Sequence, residues 1–167
     1  GKYEEASRYF EFAIQYCDSN DAETWGNLAS ALYWTDGGPA KAREVYRKAI
    51  RKAMDGLRQN PSDPVLTALL IDYYVMSDDS VNARAAIARA APLVDENARV
   101  MYSVGSAYEK MGQRDLAIHH LGNAVRHGFS MDVIEHAPVL KDLLQDPRFQ
   151  EIVRNEVPVE GATTASG

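Results

Sequence analysis

The sequence predicts an all-α protein, a stack of helical hairpins. Three observations carry that prediction. Leu70, Tyr74, Ala83, Ile87 and Ala90 recur 34 residues later as Val104, Tyr108, Ala117, Leu121 and Ala124, so type or size class is kept at five positions. Within each unit the apolar residues fall three and four apart, the spacing of one helical face. Small residues stand at Ala83, Ala90, Ala117 and Ala124, where two helices crossing closely leave no room beyond a methyl.

The elements follow in order. Tyr3, Ala6, Phe10 and Ala13 reproduce the second helix of a unit, with Gly1 in the preceding turn and no first helix before it. Residues 1–20 are therefore expected to be half a unit of a longer protein. Residues 21–60 form the next unit, with Trp25, Leu28, Ala29 and Leu32 in its first helix and Ala42, Tyr46 and Ala49 in its second. Gly37, Gly38 and Pro39 make the turn, and proline at a first helical position has a preset φ and no amide to lose.

That second helix keeps its apolar rhythm through Met54 and Leu57 to Arg58, about 20 residues and 30 Å. It runs about two turns beyond its counterpart before Pro61 and Pro64, which predicts an overhang or a change of superhelix pitch. Residues 61–97 and 98–130 are the two units of the 34-residue repeat, and Gly112 fits a turn that needs positive φ. Residues 131–155 read as one or two short capping helices, with Pro147 at a helix start and Val139, Leu140, Leu143, Leu144, Phe149, Ile152 and Val153 covering the last unit. The tail 156–167 reads as disordered.

Met101, Val104, Gly105, Tyr108, Gly112, Ala117, Leu121 and Ala124 resemble the eight-position pattern of a tetratricopeptide repeat, departing at Met101, where the pattern has Trp; Trp25 keeps it. The resemblance implies a right-handed tetratricopeptide-type helical-hairpin solenoid with C-terminal capping helices, binding proteins or peptides without catalysis. The stretches His127-Gly128-Phe129 and Asp146-Pro147-Arg148-Phe149 are similar to the ends of tetratricopeptide regions in multidomain bacterial signalling proteins, such as eukaryotic-like serine/threonine kinases and adenylate cyclases.

Composition narrows the function classes. The net charge of −6 disfavours nucleic acid as a partner. No apolar run reaches the roughly 20 residues of a membrane helix, so no membrane partner is expected. The single cysteine, Cys17, forms no internal disulfide, which makes a cytoplasmic setting the default. Phosphate-loop and kinase patterns are absent, so no catalytic site and no cofactor are expected. His119 and His120 are adjacent and diverge by about 100° on a helix, poor geometry for one metal. His127 and His136 read as polar packing between helices.

The concave groove is the remaining site, because in such stacks the first helices line the inner surface. Their non-core positions are Glu23, Gly26, Asn27, Ser30, Tyr33 and Trp34, then Val65, Ala68, Leu69, Asp72, Val75 and Met76, then Arg99, Tyr102, Ser103, Ser106, Glu109 and Lys110. Asn27, Ser30, Tyr33, Trp34, Asp72, Met76, Arg99, Tyr102, Ser106 and Glu109 are the candidate groove residues, with Tyr33, Trp34, Met76 and Tyr102 suited to an apolar helix or an extended peptide. The competing reading packs Tyr33 and Trp34 on the long helix and puts Met76 in the core. A carboxylate clamp, another mode the resemblance implies, fits Asn27 and Arg99 but meets Val65, Leu69 and Ser103 elsewhere.

Residues 41–58 hold seven basic against two acidic side chains, a net +5, leaving −11 for the rest of the chain. Arg47, Lys48, Arg51 and Lys52 thus form either a solvated face or a patch for an acidic partner, including another domain of the parent chain. Regulation of an attached signalling enzyme is one alternative function. Self-association as a homodimer through the Phe10 face of the incomplete first unit is another.

Overall fold

Aspartate and asparagine side chains start four of the helices. Asp21 Oδ1 accepts from the Thr24 amide at 2.8 Å, Asp63 from Leu66 at 2.9 Å and Asp79 from Asn82 at 3.1 Å, while Asn97 accepts from Arg99 and Val100. Each satisfies amides that the first turn of a helix leaves without a partner. The computed structural model describes residues 2–16, 21–36 and 38–156. The expectations for Gly1, Cys17, Gly37 and residues 157–167 lie outside them.

Among the described residues all regular structure is helical. The helices are α1 (Lys2–Tyr16), α2 (Ala22–Tyr33), α3 (Gly38–Gln59), α4 (Pro64–Met76), α5 (Ser80–Arg89), α6 (Ala91–Val94), α7 (Ala98–Lys110), α8 (Arg114–Arg126), α9 (Met131–Glu135) and α10 (Pro147–Glu156). Two 3-10 turns, Pro138–Leu140 and Leu143–Gln145, lie between α9 and α10. Consecutive helices pair: α2 on α3, α4 on α5 and α7 on α8. The first members of the pairs also touch in series, α2 with α4 and α4 with α7, while α1 packs on α2 and α10 on α8.

Three apolar clusters run along this arrangement. Ala29, Ala42, Tyr46 and Ala49 join Leu70 and Tyr73 between α2, α3 and α4. Ala68, Ile71, Ala83, Ala90, Val100 and Val104 join α4, α5 and α7. Ala117, Leu121, Ile134, Leu140, Leu143 and Phe149 tie α8 to the C-terminal segment. Helix α4 serves the first two clusters, so its sequence PVLTALLIDYYVM is apolar all round, as a helix enclosed by neighbours must be. At the α7–α8 crossing, a Cβ on Gly105 would lie 2.6 Å from Leu121 Cγ, so glycine sets how closely these helices approach.

The 34-residue repeat extends to the turns. Gly112 has φ +73° and Asp78, 34 residues earlier, has φ +60°. The amide that follows each bonds back in the same pattern, Gln113 to the Tyr108 carbonyl at 2.8 Å and Asp79 to Tyr74 at 2.9 Å. Aspartate tolerates the left-handed conformation better than most residues, which lets it replace glycine there.

Three expectations change. The last two turns of α3 do not overhang: Ala53 and Leu57 are buried in the cluster they share with Leu69 and Leu70 of α4. The second helix of the 61–97 unit stops at Arg89, and Pro92 lies in the first turn of the separate helix α6. The C-terminal segment is built from α9, two 3-10 turns and α10, with Pro147 first in α10 as expected.

Candidate binding cleft

Side chains from α2, α4, α7 and the C-terminal segment enclose a cleft of about 550 Å³. Ser30 and Trp34 come from the end of α2 and its cap, Asp72 and Met76 from α4, and Arg99, Tyr102 and Ser106 from α7. Seven of the ten candidate groove residues therefore meet in one cavity. Val75, Ala107 and Lys110 complete this side. The opposite wall is Asp132, Val133, His136, Ala137, Pro138 and Val139, residues that the sequence reading assigned to the cap.

The other three candidates lie elsewhere. Glu109 is turned to Arg114, whose guanidinium donates to both its oxygens at 2.7 and 2.6 Å, and its side chain is only 8% exposed. Asn27 is exposed on α2 outside the cavity. Tyr33 packs against the first cluster and carries the Lys110 ammonium 5.5 Å from its ring centre. Of the other inner-surface positions, Gly26, Ala68, Leu69 and Ser103 are buried between helices. A helix with neighbours on both sides has fewer free positions than a two-helix count assumes.

Polar groups are few and placed. Arg99 donates to Asp72 at 3.1 Å and lies over the Tyr102 ring, 5.9 Å from its centre. Burial pushes the Asp72 carboxyl up to about 6, against the opposing pull of Arg99 and the nearby Ser103 hydroxyl. Ser103 and Ser106 hydroxyls are buried with no hydrogen bond of good geometry. Lys110 is 3.6 Å from Asp78 at the cavity edge. His136 sits on the far wall with its ring nitrogen 2.7 Å from the Asp132 carbonyl, and His127 bonds Asn123 in the same local way, so neither packs between helices.

The apolar part combines Trp34, 47% exposed, with Met76, Tyr102, Val133 and Pro138. Tyr102 has a second task, because it stacks on Phe129 at 4.3 Å and 14° and so fixes the chain leaving α8. The start of α10 is tied to α8. Asp146 accepts from the Arg148 amide and side chain, which lowers its carboxyl to about 2, and Arg148 reaches Asp115 of α8 at 2.6 Å.

The cationic patch is separate from this cavity. Lys48 lies 4.5 Å over the Trp25 ring, and with Arg51, Lys52, Asp55 and Arg58 it borders a second depression of about 420 Å³ on α3. Arg47 is exposed beside it but does not line it. His120 stacks on Tyr108 and His119 meets it edge-on, so the pair serves packing; among the described residues no cluster of three metal-ligating side chains forms. No described helix is long and apolar enough to cross a membrane.

Residues 98–126 match the tetratricopeptide repeat model. The matched repeat is the α7–α8 pair, which supports the tetratricopeptide family; such repeats generally mediate protein–protein interaction and are typically non-catalytic. No curated protein shows a significant match to the chain.

Proposed function

We propose that the chain is a non-catalytic protein-interaction module whose cleft holds a short apolar segment of a partner protein. The observation that carries this is the composition of the cavity: Trp34, Met76, Tyr102, Val133 and Pro138 surround one fixed ion pair, Asp72–Arg99. Binding sites for small ligands are commonly about 300–1,000 Å³, mostly apolar, with a few placed polar groups. Acidic Asp72 and Asp132 balance basic Arg99 and Lys110, so the occupant is uncharged where it is buried.

In this reading the matched repeat belongs to a right-handed tetratricopeptide-type solenoid with unit boundaries at 1–20, 21–60, 61–97 and 98–130 and a cap over 131–155. The cap is then also a wall of the binding site. Attachment to a larger signalling enzyme is a second reading, favoured by the cations grouped around Trp25 on α3; replacing Arg47, Lys48, Arg51 and Lys52 by Glu would test it on the full-length enzyme.

Selection from a random-peptide display library tests the principal reading. Peptides retained by the wild type and released by Val133→Glu, a change at an exposed wall position, are expected to share uncharged apolar cores. Enrichment of peptides that bind both forms equally, or of none, would place recognition outside the cleft.

A further inference from the structure

We infer that the depression on α3 is a second binding site, which takes a short acidic segment of a partner protein along Lys48, Arg51, Lys52 and Arg58. It rests on the same cations as the second reading above and needs no attached enzyme. The depression, about 420 Å³, is also lined by Trp25, Met54 and Asp55, and it shares no residue with the cleft. Both sites can therefore be filled at once.

The two extra turns of α3 build it. The helix has 22 residues, against 10 in α5 and 13 in α8. Ala53 and Leu57 anchor the extension in the first cluster, which leaves Met54, Asp55 and Arg58 exposed. At 100° per residue Lys48, Arg51, Lys52, Asp55 and Arg58 fall within about 120° of the helix circumference. No other unit repeats this face. Aligning Tyr46 with Leu121 places Asn123, Arg126 and His127 where Lys48, Arg51 and Lys52 stand, and Arg126 is already paired with Glu156. Aligning it with Ile87 places Arg89, Pro92 and Leu93 there. A solvated face common to the repeat would recur, and this one does not.

Its charge is not cancelled. Asp55 pairs with Arg58, and Lys48 lies over the Trp25 ring at 4.5 Å. Arg43, nearer the start of the same helix, reaches Asp78 at 2.5 Å, but among the described residues Arg51 and Lys52 meet no carboxylate. The shape of the charge selects the ligand. From Lys48 to Arg58 the face runs about 15 Å, the length of about five extended residues. Asp55 within it repels a single phosphate, whereas separate carboxylates can pass on either side. Outside residues 41–58 the chain carries −11, which repels a broad anionic surface and leaves a short acidic segment as the occupant. Exposed ion pairs are individually weak, so several must act together and salt must weaken them.

Fluorescence anisotropy with a short labelled peptide of alternating glutamate and serine decides this. Binding to the wild-type chain should saturate and should weaken severalfold as NaCl rises from about 50 to 200 mM. Arg51→Gln with Lys52→Gln should weaken it at least about tenfold, and both positions lie outside the buried core, so the fold is kept. Arg84→Gln with Arg89→Gln removes two exposed cations of α5 and should change little; an equal loss there would mean general charge attraction and overturn the inference. So would a wild type that fails to bind, or one that binds the glutamine version of the peptide equally well. A phosphoserine peptide of the same total charge that binds more tightly would assign the site to phosphate, against the inference. Val133→Glu should leave binding unchanged, and a loss there would place the acidic peptide in the cleft.

Discussion

The cleft and the α1 face are both exposed and aromatic, and they differ in how they are held. Four parts of the chain converge on the cleft, and Arg99 pairs with Asp72 within it. The α1 face, with Tyr9, Phe12 and Tyr16 exposed, is a stripe on one helix that packs on α2, with Tyr3 stacked on Trp34. A concave, preorganised site can discriminate between ligands, because an unmatched buried group is costly there. A convex stripe offers area and little else.

Breaking the far wall should separate the two most strongly. Phe149 is 1% exposed and anchors α10 in the third cluster. Phe149→Ala is expected to cost about 3–5 kcal/mol in denaturant unfolding and to abolish peptide binding, since the wall carrying Val133 and Pro138 loses its support.

A smaller loss is expected from Arg114→Ala. It strands the nearly buried Glu109 carboxylate and removes a cation 3.7 Å from Asp146, at a cost of about 2 kcal/mol. The same variant keeping its stability would mean that Glu109 escapes to water, and the wall would be less rigid than described.

Asp72 gives the cleft a pH dependence. Its folded value, about 6, is raised above the ordinary 3.8, so between those two the folded chain holds a proton that the unfolded chain has released. Stability contributed by this group therefore falls as pH rises from about 4 to 6 and stays lower above that. Asp72→Asn should remove that slope, a difference on the order of 1–2 kcal/mol after screening by Arg99. Thermal melts of the two proteins at several pH values within the window read it directly.

Asp78→Gly is the mildest change. It relieves a left-handed aspartate and removes exposed pairs with Arg43 and Lys110, two effects of about 1 kcal/mol that oppose each other. The melting temperature should hardly move. Freed Lys110 would then strengthen binding of peptides with an acidic residue at the cleft edge.

The 34-residue spacing made the hairpins legible, since helices that repeat the same contacts must repeat the same residue sizes. The left-handed turn at Asp78 stayed hidden because its aspartate does not look like the Gly112 it replaces, although the same spacing points to it. Trp34, Met76 and Tyr102, grouped by the resemblance together with helical phase, do line one cavity. Val133, His136 and Pro138 were not legible, because their place in the cleft depends on how two 3-10 turns and α10 fold back on α8, which no periodicity encodes. Glu109 misled for a related reason: helical phase put it near the groove, but Arg114, five residues on, captured it.

The most direct test of the central claim is the affinity of a display-selected apolar peptide for three proteins measured by calorimetry: wild type, Val133→Glu and Tyr9→Glu. Binding through the cleft predicts at least about tenfold weakening by Val133→Glu, equivalent to about 1.4 kcal/mol, and none by Tyr9→Glu. Equal affinity for wild type and Val133→Glu would contradict it.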